Sequence, residues 1–179
     1  ALRRGTELCS SKYVLRFDTD DFNIPIRAAR QIQFMIAGDY DISSSWVYEF
    51  LDSHKNMINI KKIPLSQKNI KNIMPFRNPF NHPSVCFKLS SIKSLDGGYR
   101  DIPYYEDYDL WIRAIYSGFS CANLKDALVG MQTKQIITRR RGFRKIFSEL
   151  KLFKTFWNNS YIGFILFIPS FICRSLVKI

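Results

Sequence analysis

One run near the start of the chain, Tyr13 to Asp21, most limits what the sequence can fold into. Its first residues are mostly apolar and predict a β-strand, three aspartates follow at Asp18, Asp20 and Asp21, and Pro25 then marks a helix entry. Three carboxylates this close repel one another unless donors or a cation neutralise them, and Mg²⁺ and Mn²⁺ accept such oxygen ligands. The run is therefore either a metal site for a phosphate-bearing substrate or an acidic turn that caps the next helix.

The length and composition predict one globular unit. The 179 residues are 46% hydrophobic and 15% aromatic, which is enough to bury one sizeable core. The four cysteines are widely spaced and form no C-x-x-C pair, so we expect neither a disulfide framework nor a zinc site. The start of the sequence shows no charged-then-apolar leader, and we expect a protein of a reducing cytoplasm.

Strand and helix patterns alternate through residues 1–133, which predicts an α/β architecture for a first domain. Ligands in such folds gather where strands end, and both acidic clusters of the sequence lie near junctions between elements. The predicted strands lie at residues 13–17, 42–50, 58–65, 84–88 and 121–131, and the predicted helices begin near residues 26, 66 and 106.

The net charge of +12 is concentrated in residues 134–179, which we predict to be a separate tail. This tail carries ten Lys or Arg residues against one acid, Glu149. From Phe143 to Trp157, apolar residues recur at threes and fours between the cations, which predicts a basic amphipathic helix. Residues 155–173 carry no charge, but polar residues and Pro169 interrupt them, so we expect a shallow or re-entrant segment rather than a span of about 20 residues.

The composition of the tail predicts contact with an anionic membrane surface, with the aromatic side in the bilayer interface and the cations on lipid phosphate. Simple packing of the helix against the first domain is the alternative. Arg139–Arg141 is also a candidate nucleic-acid binding site, but no recognised nucleic-acid-binding module accompanies it. We therefore expect no nucleic-acid partner.

Three motifs in order resemble family 2 glycosyltransferases of the GT-A fold, especially bacterial enzymes that build O-antigen, capsule and exopolysaccharide. The motifs are R-F-D-T-D-D-F-N-I-P-I-R at 16–27, N-P-F-N-H-P-S-V at 78–85, and G-G-Y followed by Y-E-D-Y-D-L-W-I-R at 105–113. The resemblance covers about residues 1–131 and implies a Rossmann-like mixed sheet flanked by helices. It also implies an inverting transfer of a sugar from a nucleotide diphosphate donor to a lipid-linked glycan acceptor. The protein would act at the cytoplasmic face of the bacterial inner membrane, as a peripheral or monotopic protein.

The resemblance assigns roles to the acidic residues. Asp18 and Asp20 match the D-x-D that meets the donor ribose and a Mg²⁺ or Mn²⁺ ion, and Asp21 is an adjacent candidate for either contact. Which of Asp20 and Asp21 binds the ion is open. Asp107 matches the general base, with Glu106 beside it, although both residues also suit simple N-terminal helix capping.

Other residues of the motifs carry two interpretations each. His82 matches a histidine that reaches the metal or the pyrophosphate, and it also suits a structural role before Pro83. Gly97 and Gly98 resemble the loop near the donor sugar, and their glycines permit positive φ. Arg113 either orients a phosphate or pairs with an acid inside the fold. Trp111 is predicted to belong to the core rather than to an acceptor platform.

The sequence also departs from the family pattern. Family members begin with a strand of the V-S-V-I-I-P type and a further β-α unit that binds the nucleotide base, and this sequence lacks both. We therefore expect a fragment or a truncated product, with activity alone in doubt. Two other functions stay open: a haloacid-dehalogenase-like phosphatase, although Phe22 stands where that motif wants Thr or Val, and a non-catalytic membrane-associated module or inactive remnant.

Overall fold

The structure is a computed structural model that describes residues 1–133 and 143–176. Within these residues, one mixed sheet of six strands is accompanied by seven α-helices. The strands are β1 (Tyr13–Leu15), β2 (Phe22–Asn23), β3 (Ile42–Phe50), β4 (Met57–Lys61), β5 (Cys86–Lys88) and β6 (Cys121–Gln132). The helices are α1 (Leu2–Leu8), α2 (Arg27–Ala37), α3 (Gln67–Ile73), α4 (Leu89–Ser94), α5 (Glu106–Tyr116), α6 (Phe143–Asn159) and α7 (Tyr161–Leu176).

The centre of the sheet is β3. It pairs in parallel with β6 along its whole length, and its other edge pairs antiparallel with β5 near its start and with β4 near its end. The strand order is β1-β5-β3-β6-β2, with β4 beside β3. Residues 42–45 of β3 are all buried, as is usual for a central strand that is covered on both faces. The mixed sheet with its flanking helices confirms the predicted α/β fold class.

The helix α5 lies inside the core. All eight residues from Tyr108 to Ile115 are buried, although the sequence shows apolar residues mainly on one face. Trp111 is fully buried and packs edge-on against Phe80. Its predicted place in the core is confirmed. Burial around the whole circumference means that other elements must cover α5 on every side.

The helices α6 and α7 provide part of that cover. Leu152, Phe156 and Phe167 are fully buried in the same hydrophobic cluster as α5. Thr155 Oγ1 on α6 donates a hydrogen bond of 2.6 Å to the buried Asp109 on α5. Residues 143–176 therefore share one core with the first domain, and membrane contact by their outer face stays a prediction. The predicted Arg139–Arg141 cluster lies outside the described residues.

Pro169 does not interrupt the C-terminal apolar segment as expected, because α7 continues through it to Leu176. A proline inside a helix removes a hydrogen bond and costs about 3 kcal/mol. Here Phe153 packs against rings on both sides of the proline, with centroids 5.1 Å from Phe167 and 4.7 Å from Phe171. Tertiary packing thus outweighs the local preference. Among the described residues, no helix combines the length and the hydropathy that crossing a bilayer demands.

Several short elements were not predicted. The helices α1 and α4 lie where the sequence shows no long helical period, and they contact each other at the edge of the domain. The strand expected at residues 84–88 is shortened to β5, because His82–Ser84 forms a 3-10 turn. Elements this short depend on their neighbours rather than on their own sequence pattern.

Asp41 ties the start of β3 to α4 and to the loop before β6. Its carboxylate accepts hydrogen bonds from Ser91 Oγ at 2.6 Å and from Ser120 N and Oγ at 2.9 and 3.0 Å. Burial alone raises the pKa of Asp41, but these hydrogen bonds and the charge of Lys88 outweigh burial and hold the pKa below its ordinary value. The ionised carboxylate therefore stabilises the folded state above the unfolded-state pKa, and this contribution is lost as the pH falls through the folded-state pKa.

We predict that Asp41→Asn lowers the free energy of unfolding by about 1–3 kcal/mol near neutral pH, and that this deficit shrinks in acid below the unfolded-state pKa. Urea titrations of both proteins at neutral and acid pH measure it. Asp39→Asn is the matched control, because Asp39 pairs with the same Lys88 but is 94% exposed, and it should change stability little. A deficit that does not vary with pH would contradict the prediction.

Candidate active site

The pairing of β1 with β5 brings the aspartate loop next to His82. The two strands are antiparallel, and Arg16 N donates to Val85 O at 3.0 Å just beyond the pair. The end of β1 therefore lies beside the beginning of β5, where the 3-10 turn starts at His82. Arg16 Nη2 forms an ion pair of 2.8 Å with Asp18 Oδ1.

A buried polar network fixes the segment that carries His82. Asn81 Nδ2 donates to Ser45 O at 2.9 Å, and Asn81 N donates to Ser44 Oγ at 3.0 Å. Ser84 Oγ lies within hydrogen-bond distance of four groups, including Ser45 N at 3.1 Å. Asn123 Nδ2 on β6 holds the same segment at Pro79 O. The segment from Asn78 to Ser84 is thus attached to β3 and β6 in the middle of the sheet.

Asp107 lies in the first turn of α5 and faces this segment. Asn78 Nδ2 donates to Asp107 Oδ2 at 2.7 Å, and His82 Nδ1 lies 3.7 Å from the same oxygen. Burial raises the pKa of Asp107, although hydrogen bonds from the Tyr108 N–H and Asn78 and the charge of Arg16 partly offset that effect. A raised pKa makes this carboxylate a better proton acceptor than an exposed aspartate.

His82, beside Asp107, is a neutral group. Burial and the neighbouring Arg16 charge lower the pKa of His82 to about 3, so it does not form an ion pair with Asp107 at neutral pH. Its Nε2 atom is buried and has no hydrogen-bond partner. The imidazole therefore offers an unused nitrogen to a ligand.

The three aspartates of the loop differ in their surroundings. Asp18 is paired with Arg16, Asp20 is exposed, and Asp21 Oδ1 accepts a hydrogen bond of 3.0 Å from Gln132 N. Burial raises the pKa of Asp21 to about 6, with further contributions from the charges of Asp18 and Asp20, while the Gln132 N–H opposes the rise. The charges of Asp18 and Asp20 thus disfavour the ionised form of Asp21.

The donor set suits a hard cation that is held mainly by substrate. Within residues 1–133 and 143–176, no group of three or more His, Cys, Asp or Glu side chains forms a ready metal cage. Mg²⁺ usually needs only one or two carboxylates when substrate phosphates supply the other ligands. The carboxylates of Asp18 and Asp20 fit that requirement, and metal binding itself stays a prediction.

Arg16 links the two acidic clusters electrostatically. Its charge acts on the pKa of Asp21 in the loop and on the pKa of His82, Tyr99 and Asp107 on the other side. The Asp18 charge also acts on His82. Asp18 pairs with Arg16 and Asp107 lies beside His82, and Arg16 and Asp18 both act electrostatically on His82; the region around these four residues is called the candidate cleft below.

The glycine loop is held by a buried arginine. Gly97 and Gly98 both have positive φ, at 73° and 46°, as expected from the sequence. Arg113 Nη1 donates to Asp96 O at 3.1 Å, and Arg113 Nη2 donates to Gly98 O. The same guanidinium pairs with the fully buried Asp109 at 2.8 Å. Of its two interpretations, Arg113 thus shows the pairing with an acid inside the fold, while it shapes the loop predicted to lie near the donor sugar.

Sequence reasoning did not single out Arg16, Asn78 or Arg27. Arg27 is buried behind the aspartate loop, where it donates to Asn23 and Gln31 and lies 4.8 Å from the Phe17 ring centroid. A cation within an apolar strand, as at Arg16, was an available signal. The role of Asn78 had no local signal, because its partner lies 29 positions away.

The sequence matches no protein-family model. It is 37% identical over its whole length to a UDP-Gal:alpha-D-GlcNAc-diphosphoundecaprenol beta-1,3-galactosyltransferase of Escherichia coli, and covers 65% of that protein. It is 34% identical over its whole length to the amylovoran biosynthesis glycosyltransferase AmsE of Erwinia amylovora, and covers 67% of that protein. The chain thus spans about two thirds of the length of these relatives.

The fold is similar to that of solved glycosyltransferase structures. The S. aureus TarS 1–349 structure in complex with UDP-GlcNAc matches 94% of this chain and 51% of its own length, with a TM-score of 0.71 and 11% identity. A second TarS 1–349 structure matches with a TM-score of 0.67. At this identity the likeness concerns the fold alone.

We predict that Ser84→Ala destabilises the protein by about 1–3 kcal/mol, because it leaves the buried Ser45 N–H without its partner. Urea unfolding followed by tryptophan fluorescence measures the change. Ser94→Ala is the control, since the exposed Ser94 hydroxyl makes a single local hydrogen bond to Ser91 O. Wild-type stability in Ser84→Ala would show that the network does not hold the segment.

Proposed function

Because this chain belongs to the bacterial glycosyltransferases with a GT-A-like fold, we propose that it transfers a sugar, with inversion, from a nucleotide diphosphate to the hydroxyl of a lipid-linked glycan. One observation carries the proposal: the donor candidate Asp18 pairs with Arg16 at 2.8 Å, the base candidate Asp107 lies 3.7 Å from His82, and the charge of Arg16 acts on both His82 and Asp107. The amylovoran biosynthesis relative of Erwinia amylovora supports bacterial surface-polysaccharide synthesis as the setting.

In the proposed reaction, the acceptor oxygen attacks the anomeric carbon of the sugar. The bond between that carbon and the oxygen of the diphosphate breaks, and its electron pair leaves with the diphosphate. The carboxylate of Asp107 takes the proton from the acceptor hydroxyl during the attack. The hydrogen bond from Asn78 orients Asp107, and burial strengthens its affinity for a proton.

The donor side of the cleft would be formed by Asp18, Asp20 and the Gly97–Gly98 loop, with Asp21 behind them. A uridine diphosphate sugar is the proposed donor class, because the names of the E. coli relative and the TarS complex contain such donors. When bound, a Mg²⁺ or Mn²⁺ ion held by Asp20 and Asp18, with His82 as a third predicted ligand, would stabilise the negative charge that gathers on the diphosphate.

An anionic membrane surface is the proposed platform for the acceptor. Apolar residues of α6 and α7 are exposed on the outer face of the domain, and Lys151 and Lys154 lie exposed among them. Such a face suits burial of apolar side chains at the lipid boundary with cations near the phosphates. The apolar residues of this outer face are Phe147, Leu150, Trp157, Tyr161, Ile162, Ile165, Leu166 and Ile172.

We predict that Asp107→Asn lowers the transfer rate about a hundred- to ten-thousand-fold, because the amide accepts no proton. The assay follows nucleotide release from a panel of UDP-sugars in the presence of a GlcNAc-diphosphate-lipid acceptor. Donor binding, measured by calorimetry, should persist in this variant because the base acts on the acceptor.

Asp126→Asn is the matched control for this assay, since Asp126 pairs with Arg30 on the surface. It should transfer at the wild-type rate. Wild-type transfer by Asp107→Asn would exclude the assigned base. A wild-type chain that transfers no sugar from any donor would favour the non-catalytic membrane module instead.

We predict that the chain sediments with vesicles that contain phosphatidylglycerol, and that Ile162→Ser combined with Ile165→Ser weakens this binding about tenfold or more. Burial of one such side chain is worth about 1.5–3 kcal/mol, so two substitutions exceed a tenfold effect. Ile58→Ser is the control, because Ile58 is 58% exposed on the distant β4. Equal binding by the double variant, or equal binding to neutral vesicles, would contradict the proposed surface.

A further inference from the structure

Three arginines are largely buried around the candidate cleft, and two of them have partners for their N–H groups. Arg27 donates to Asn23, to Gln31 Oε1 at 3.2 Å and to Val85 O at 3.4 Å. Arg113 is held by Asp109 and by two backbone carbonyls. The hydrogen bonds of these two guanidinium groups are therefore made within the protein.

Arg16 differs from both. Its Nη2 pairs with Asp18 at 2.8 Å, but its Nε and Nη1 atoms are buried and have no hydrogen-bond partner. A guanidinium carries five N–H donors, and leaving them unmade away from water is costly for a charged group. The Arg16 side chain as a whole is 22% exposed, so part of it is accessible to solvent. Its hydrogen-bonding capacity is therefore incomplete in the protein alone.

The position of Arg16 indicates which kind of ligand can accept hydrogen bonds from its unpartnered N–H groups. The guanidinium pairs with Asp18 in the aspartate loop, the Arg16 backbone N–H donates to Val85 O next to the Asn78–Ser84 segment, and the Arg16 charge acts on Asp107 and Tyr99. His82, on which the charge of Arg16 acts, likewise has a buried ring nitrogen, Nε2, without a hydrogen-bond partner. An anion with several oxygens matches planar N–H donors better than a neutral ligand does.

We propose that Arg16 binds phosphoryl oxygens of the substrate, between the aspartate loop and Asp107. This inference rests on the proposed function for the source of the phosphate, which is the diphosphate of either the sugar donor or the lipid-linked acceptor. On binding, the anion supplies acceptors for the unused N–H groups of Arg16 and competes with Asp18 for the guanidinium. Arg16 then fixes the diphosphate within the cleft that also holds the candidate base.

Because the anion competes with Asp18 for Arg16, substitutions of Arg16 and of Asp18 should change pyrophosphate affinity in opposite directions. In Arg16→Met the anion loses its cation, so inorganic pyrophosphate should bind about tenfold more weakly or worse. In Asp18→Asn the guanidinium loses its competing carboxylate, so pyrophosphate, which has no ribose, should bind more tightly than to the wild type. A merely structural Arg16–Asp18 pair would weaken binding in both variants.

The experiment is calorimetry of the whole 179-residue chain with EDTA present, so that the result does not depend on a metal ion. The probes are inorganic pyrophosphate, UDP, uridine and farnesyl diphosphate. Arg30→Met is the control, because Arg30 is 53% exposed and pairs with Asp126 outside the cleft. Arg16→Lys keeps the positive charge but lacks the planar guanidinium, so we expect an intermediate loss of pyrophosphate affinity. It replaces Arg16→Met if thermal melting shows that Arg16→Met does not fold.

Each outcome decides the proposal. Loss of pyrophosphate affinity in the Arg16 variants, with Arg30→Met and uridine binding unchanged, supports it. A larger loss for UDP than for farnesyl diphosphate assigns the site to the donor, and the reverse assigns it to the acceptor. Equal pyrophosphate binding in the wild type and the Arg16 variants, or weaker binding in Asp18→Asn, overturns it, as does a wild type that binds no phosphate probe. Sugar transfer that depends on Asp107 but not on Arg16 would leave the proposed function standing without this subsite.

Discussion

The buried hydrogen bonds between β3 and the segment from Asn78 to Ser84 are the constraint on which the candidate site depends. Ser44 and Ser45 on the central strand have small side chains, so the segment lies directly against the strand backbone. In a low-dielectric interior such bonds are strong, and a missing partner is costly. The segment therefore has one place on the sheet, and this place puts Asn78 and His82 next to Asp107.

The carboxylates of the candidate cleft outnumber the positive charges beside them. Carboxylates at Asp18, Asp21 and Asp107 face Arg16, while Arg27 lies buried behind the loop and His82 is neutral. The raised pKa values of Asp21 and Asp107 follow mainly from burial, and they mark carboxylates that lack a full counter-charge. An anionic substrate with its own cation would change this balance on both sides of Arg16.

The C-terminal helices serve two surfaces at once. Their inner faces bury Leu152, Phe156 and Phe167 against α5, which carries Asp107 at its first turn. Thr155 also contacts Asp109, whose partner Arg113 holds the Gly98 loop. The outer faces keep apolar side chains exposed. The same helices thus connect the exposed outer surface with the elements that carry Asp107 and the Gly98 loop.

Much of the fold was predictable from local patterns. The periods of apolar residues indicated α2, β3, α5, β6 and α6, and Ser66 caps α3 at the place where a brief helix was expected. The short α1 and α4 and the passage of α7 through Pro169 were not predictable, since packing decides them. In the candidate site, the acidic motifs identified Asp18 and Asp107, the cation at Arg16 in an apolar run was a signal that the sequence reasoning did not use, and no local pattern indicated Asn78.

The sequence by itself determined which chemical groups are present and which short elements carry them, because helix and strand periods and clustered acids act over a few neighbouring residues. Only the tertiary structure decided how these groups meet: Asn78 and His82 with Asp107, and Thr155 with Asp109. These contacts join residues that lie 25 to 46 positions apart, and strand order and helix packing set their distances. No local pattern contains that information, since it arises from the burial of the whole core at once.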